Sequence, residues 1–230
     1  MNRNYIKRII IVDVEADGNI IGDHSMVCFG ACLAHNPSIS FYGKVKPISN
    51  EYNPEALSVS GFSREEHLEF DDPEEVMLAF VNWINKNVPN NPILFSDNNQ
   101  FDGSWINYYL LKFAKTNPFG WSSRRIGDLF SGASKTLRKP WKGLRVSEHT
   151  HNPVEDAQGN AEALLRILVG YEITKLKESD IIIIDGLEYS ISLINNLMKY
   201  IKLKDSSNST LTINLDYILD GKNKVKIILN

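Results

Sequence analysis

A chain of 230 residues with 43% hydrophobic and 23% charged side chains is long enough for one domain of about 150–180 residues plus an appendage, and has the make-up of an ordinary globular protein. No apolar run approaches the roughly 18 residues of a membrane span, and "MNRNYIKR" leads into only a short apolar strand, so neither a span nor a signal peptide is expected and a cytoplasmic protein is. The formal net charge of −3 does not advertise a nucleic-acid binder, but an overall balance can hide a local patch.

In chain order, "RIIIVDVE" (Arg8–Glu15) is a continuously apolar, β-branched run, the pattern of a strand buried on both faces. "MVCFGACLA" and "SISFYGKVKPI" read as the second and third strands. Cys28 and Cys32 lie in the second with no further Cys or nearby His to complete a zinc site, so buried free thiols are expected. "NPEALSVSGFSREE" mixes a short helical pattern with Gly61, and Ser63 with Glu66 makes a capping box. "DPEEVMLAFVNWINKN" has Pro73 in its first turn and apolar residues at Val76, Phe80, Val81 and Ile84, which predicts an amphipathic helix. "NPILFS" predicts a short buried strand and "DGSWINYYLLKFAK" a helix. Residues 115–150 read as loop-rich and basic, and "PVEDAQGNAEALLRILVG" as the last helix of the main unit. Strands first, then alternating helix and strand, imply an α/β fold with a mixed sheet flanked by helices. After Gly170 the texture changes. Residues 171–230 read as strand, helix, strand and strand ("SDIIIIDG", "EYSISLINNLMKYIKLK", "STLTINLDYI", "KVKIILN"), a small α+β C-terminal subdomain appended to a domain at residues 1–170.

Residues 124–145 hold Arg124, Arg125, Lys135, Arg138, Lys139, Lys142 and Arg145 against the single acid Asp128, a local charge of +6, with Phe130 and Trp141 interleaved and Trp121 just before. This is either a solvated basic loop or a surface that tracks a nucleic-acid backbone while bases stack on the aromatic rings.

Three groups of residues carry chemistry. Asp13 and Glu15, at i and i+2 of the first strand, leave the same face, where two desolvated acids repel one another unless a cation holds them. The bland alternative is a pair of loop acids past the strand's end. Asp97 and Asp102 flank the junction between a strand and a helix in "SDNNQFDGSWI", a place where the helix dipole alone would favour an acid. In "HTHNPVEDA", Asn152 suits the N-cap, Pro153 the first helical position, and Glu155 completes a box-like cap. That register makes His151 N′ and Asp156 N4, positions that touch across a helix start, so the imidazole of His151 is expected against the Asp156 carboxylate. His149 has no such tie and reads as a loop residue.

With those residues in hand, the chain resembles the DEDDh exonucleases, the DnaQ-like group that includes ribonuclease T, oligoribonuclease and proofreading exonucleases. The resemblance rests on Asp13 and Glu15 in "VDVEADG", Asp102 in "DNNQFD", and His151 with Asp156 in "HNPVED", in that order, and covers residues 8 to about 170. "PEALSVSGFSREE" also resembles the stretch that lies between the first two motifs. Asp97 and Ser60 stand where many relatives have His, departures that bear on substrate contacts and leave the core acids intact.

The resemblance implies a ribonuclease H-like fold and a metal-dependent 3′–5′ exonuclease that releases nucleoside 5′-monophosphates from the 3′ ends of single-stranded RNA or DNA. It implies that Asp13, Glu15, Asp102 and Asp156 bind two divalent cations, Mg²⁺ or Mn²⁺, with His151 as general base. Candidate nucleic-acid contacts are Asn98 and Phe101 in the second motif and Arg138, Lys139, Trp141, Lys142 and Arg145 in the basic segment. Relatives in the group are often dimers, so a homodimer, or a protein partner held through the C-terminal subdomain, is a further expectation. Two other readings stay open: a metal-dependent phosphatase or nucleotide hydrolase built on Asp13 and Glu15, and a nucleic-acid-binding recruitment module with a vestigial nuclease site.

Overall fold

Ile9–Val12 are wholly buried because β1 (Ile9–Ala16) is the central strand of a five-stranded sheet and is covered on both faces. β2 (Met26–Leu33) pairs antiparallel with β1, and β3 (Asn36–Lys44) antiparallel with β2. On the other side β4 (Ile93–Ser96) runs parallel to β1, and the two-residue β5 (Arg124–Arg125) parallel to β4, which gives the order β3-β2-β1-β4-β5. The computed structural model describes residues 3–135, 137, 140–173, 181–184, 186–195, 200–214 and 225–228.

A short helix α1 (Arg3–Ile6) precedes β1, and α2 (Pro54–Val59), α3 (Arg64–Leu68) and α4 (Pro73–Asn87) lie between β3 and β4. The capping box read at Ser63 and Glu66 is present, and α4 buries Val76, Phe80 and Ile84. α5 (Asp102–Tyr109) follows β4 and runs on as a π-helical turn over Leu110–Ala114. Residues 115–150 are less loop-like than their composition suggests: α6 (Ile126–Ser134) occupies "IGDLFSGAS", and α7 (Pro153–Ile173) follows. Cys28 and Cys32 are buried free thiols, as their apolar setting implies.

On one face of β1, Ile10, Val12, Val14 and Ala16 join a core with Phe29, Phe80, Ile84, Trp105 and Tyr109. Strand alternation sends Asp13 and Glu15 to the opposite face. There Gly30 pairs directly across from Asp13, and a Cβ on Gly30 would fall 2.2 Å from the backbone carbonyl of Pro153. The first turn of α7 therefore rests directly on the sheet beside Asp13, an approach only glycine permits. Gly30→Ala is expected to destabilise the fold by about 1–3 kcal/mol and to lift the start of α7. Denaturant unfolding with the midpoint unchanged from wild type would show that the contact is looser than this.

The chain divides into two compact units, Met1–Leu165 and Arg166–Asn230. In the second, β6 (Ile181–Ile184), β7 (Leu187–Asn195), β8 (Tyr200–Lys204), β9 (Thr210–Asn214) and β10 (Val225–Ile228) form an antiparallel sheet in the order β10-β6-β7-β8-β9. Of the stretch "EYSISLINNLMKYIKLK" expected as a helix, residues 188–195 and 200–204 are thus corrected to two paired strands, and residues 196–199 lie outside the described residues. Ser190 and Ser192 alternate with Ile191 and Leu193, a period of two that places Ile191 in the interior beside Ile201 and Leu203. No described helix is long and apolar enough to cross a membrane.

Candidate active site

Three elements deliver four carboxylates to one end of the sheet. β1 carries Asp13 and Glu15, the first residue of α5 is Asp102, and the first turn of α7 holds Asp156. Asp102, buried just beyond β4, accepts a hydrogen bond from the Asn98 backbone N–H at 3.1 Å. Asn152 caps α7 as its residue type demands, accepting from the N–H of Val154 at 3.0 Å and of Glu155 at 3.4 Å. The return half of the expected box is absent: Glu155 accepts from the Thr150 hydroxyl at 2.7 Å, and the Asn152 N–H donates to Thr150 Oγ1 at 3.2 Å.

The acids act on one another. Burial, then Asp102, Asp156, Glu15 and Asp97, hold the Asp13 carboxyl well above its ordinary range. Burial, followed by Asp156, pushes Glu15 up to about 7, with His149 opposing. Burial also raises Asp102 to about 7 against the hydrogen bond from Asn98. Asp156 alone goes the other way: its burial is outweighed by hydrogen bonds from Arg145, His149 and Thr150, which pull it below the usual carboxylate value.

A raised carboxyl pKa has a consequence for stability. The folded state favours protonated Glu15, a stabilisation complete below 4.5 and lost as pH rises through about 7. In chelator, Glu15→Gln is therefore expected to be more stable than wild type at pH 8, by at most about 3 kcal/mol, the gap closing in acid. Melting temperatures that track one another across this window would show that Glu15 carries no such strain.

His151 and His149 exchange the places expected of them. The His151 backbone is left-handed, φ +61°, an uncommon setting for a side-chain-bearing residue. Its N–H, rather than its ring, meets Asp156, donating to Oδ2 at 2.9 Å. The ring turns to Glu15, with Nδ1 3.7 Å from Oε1, and is half-exposed. His149 supplies the imidazole at Asp156, Nδ1 standing 2.7 Å from Oδ1, and its ring centroid lies 4.3 Å from that of His151. The reading of His149 as an untethered loop residue is corrected. The carboxylate gathers the free N–H groups of Thr150 and His151, which folds the preceding loop back and carries His149 onto it.

The other predicted residues separate. Asn98 is exposed beside the cluster, and Phe101 is partly buried, packed edge-to-face on Trp105. Lys142 pairs with Asp97 at 2.7 Å. Trp141 is corrected as a stacking platform: it is buried, with its ring over Gly127 of α6. Arg145 points inward, to Asp156 at 2.9 Å. Arg138 and Lys139 lie outside the described residues. Trp121, next to Ser122 and Ser123 ahead of β5, is the exposed aromatic of this region, at 88%.

Sequence reasoning passed over a buried support. Asp17, two residues beyond Glu15, accepts from the Ser25 N–H and from Arg64 at 3.0 Å, and His67 Nδ1 stands 3.7 Å from it. Burial and then Arg64 push His67 down to about 4 and keep it neutral. The signal was available, since Asp17 continues the i, i+2 row of Asp13 and Glu15. The network ties the end of β1 to α3.

Among the described residues no three His, Cys, Asp or Glu side chains already stand close enough to hold an ion together. The donor set nevertheless fits a hard divalent cation: its acids are oxygen ligands, and three of them are held above their ordinary pKa, with mutual repulsion contributing, a penalty that such a charge would relieve.

The fold, a mixed five-stranded sheet flanked by helices, is ribonuclease H-like. No family profile matches the chain. The 3′–5′ DNA exonuclease Cap18 of Escherichia coli, however, is 36% identical over 158 residues, spanning 67% of this chain and 83% of that relative. On that likeness the chain belongs to the DEDDh 3′–5′ exonuclease family. Solved structures agree on the fold. E. coli exonuclease I in complex with a dT13 oligonucleotide superposes with a TM-score of 0.55 at 12% identity, over 86% of this chain and 55% of that one. Exonuclease I from Methylocaldum szegediense gives 0.51 at 12% identity, over 94% and 64%. The chain thus spans just over half the length of the E. coli exonuclease I chain.

Proposed function

We propose that this protein is a cation-dependent exonuclease that removes nucleoside 5′-monophosphates from the 3′ end of single-stranded DNA. The observation that carries the reading is the convergence of Asp13, Glu15, Asp102 and Asp156, acids whose repulsion calls for a cation, with a half-exposed histidine 3.7 Å from Glu15. DNA is favoured over RNA by the substrate in the name of Cap18, and single strands by the oligonucleotide bound to exonuclease I.

Asp13, Glu15, Asp102 and Asp156 would hold two Mg²⁺ or Mn²⁺ ions, whose chemistry is to acidify water and to neutralise charge developing at phosphorus and on the leaving oxygen. His151 takes the proton of the attacking water, its ring standing clear of Asp156 and open to solvent. His149 and the N–H groups of Thr150 and His151 aim the Asp156 carboxylate. Asp17, Arg64 and His67 brace the end of β1 behind the acids.

Digestion of 5′-labelled single-stranded DNA, single-stranded RNA and duplex DNA, side by side with Mg²⁺, Mn²⁺ or chelator, tests this. Stepwise shortening of the DNA single strand only with cation is expected. Equal or faster loss of RNA would move the substrate assignment, and shortening in chelator would remove the cation from the mechanism.

A further inference from the structure

Arg145 is built into the site rather than onto the surface. Its side chain is 8% exposed. Nη2 donates to Asp156 Oδ1 at 2.9 Å and to the Glu148 carbonyl at 3.0 Å, while Nε is buried without a partner. Two features of α7 hold it there. Glu162 accepts from the N–H groups of Val146 and Ser147, at 3.0 and 3.1 Å, and fixes the loop that carries Arg145. Gly159 leaves the space: a Cβ there would fall 2.5 Å from Nη2. A buried guanidinium with an unsatisfied N–H is a weak device for stability, because desolvation offsets much of the ion pair.

Orientation of Asp156 does not depend on the guanidinium. Thr150 N–H donates to Oδ1 and His151 N–H to Oδ2, so both oxygens keep a backbone donor without it. What Arg145 alone adds is a permanent positive charge on a carboxylate that a divalent cation must share.

We infer that Arg145 is an internal counter-cation that competes with the divalent ion for Asp156 and so sets the cation affinity of the site, an inference that rests on Asp156 being a cation ligand. Removing the charge leaves the metal-free carboxylate less compensated and removes repulsion from the incoming ion. Both effects favour cation binding.

The test is calorimetric titration of the full chain with Mn²⁺ alone, without nucleic acid, for wild type, Arg145→Gln, Arg145→Lys and Asp13→Asn. Arg145→Gln is expected to bind on the order of ten-fold more tightly than wild type, and Arg145→Lys to stay near wild type. Arg145→Met, which keeps the apolar stem, replaces the glutamine variant if that one fails to fold. Unchanged or weaker binding on loss of the charge overturns the inference, as does equal tightening in the lysine variant, which would assign the effect to shape. Wild-type Mn²⁺ binding in Asp13→Asn would instead show that the ion sits elsewhere, and that result takes down the proposed cation site along with the role of Arg145.

Discussion

Asp13→Asn is expected to reduce cation-dependent shortening of single-stranded DNA by at least about 10³-fold, equivalent to roughly 4 kcal/mol of transition-state stabilisation. The carboxylate removed is the one on which the others press, with Asp102, Asp156, Glu15 and Asp97 all raising its pKa after burial. The same substitution discharges that repulsion, so the variant should melt no lower than wild type in chelator at neutral pH and should show little of the Mn²⁺-induced rise in melting temperature. The combination separates a ligand from a structural residue. A variant that loses activity by unfolding would melt lower, and one that keeps more than about a tenth of the rate would remove Asp13 from the cation site.

His151→Ala is expected to lower the turnover rate by about 10²–10⁴-fold with cation binding retained. His149→Ala should cost far less, about ten-fold or below, because it removes one of several donors to Asp156 and touches nothing that moves a proton in the proposed reaction. The structure sharpens this contrast. Both rings lie over the acids, centroid to centroid at 4.3 Å, and only their partners distinguish them: His149 is spent on Asp156, while the half-exposed ring of His151 leans toward Glu15. Single-turnover rates alongside Mn²⁺ titrations of both variants check the assignment. Reversed magnitudes would make His149 the base and His151 the residue that shapes the turn.

How far the sequence could be read follows from where the information is local. The β-branched run at Ile9–Val12 became the buried centre of the sheet, and Asn152 with Pro153 started α7 where their backbone preferences put it. In both, a few neighbouring side chains decide the outcome. The misreadings share the opposite property. A basic composition concealed α6, whose amphipathic face needs Trp141 from beyond its own end to cover Gly127. The "helix" at 188–204 became β7 and β8 because Ile191 and Leu193 pair across to Leu203 and Lys202, a cross-strand pairing that side-chain periodicity along one segment does not register.

By itself, the sequence determined the chemistry available: four acids and a histidine in order, two of the acids committed to one strand face by the period of two, and a helix whose start is set by its caps. The tertiary structure decided which groups meet. Gly30 lets Pro153 settle on the sheet and so brings Asp156 toward Asp13. The left-handed turn at His151 gives its N–H to Asp156 and its ring to the side of Glu15. Arg145, nominated by composition for a phosphate outside, was drawn inward by a buried carboxylate. The physical reason is common to all three: backbone approach and the pairing of buried charge depend on residues far apart in the chain, and local pattern carries no record of which of them will be neighbours.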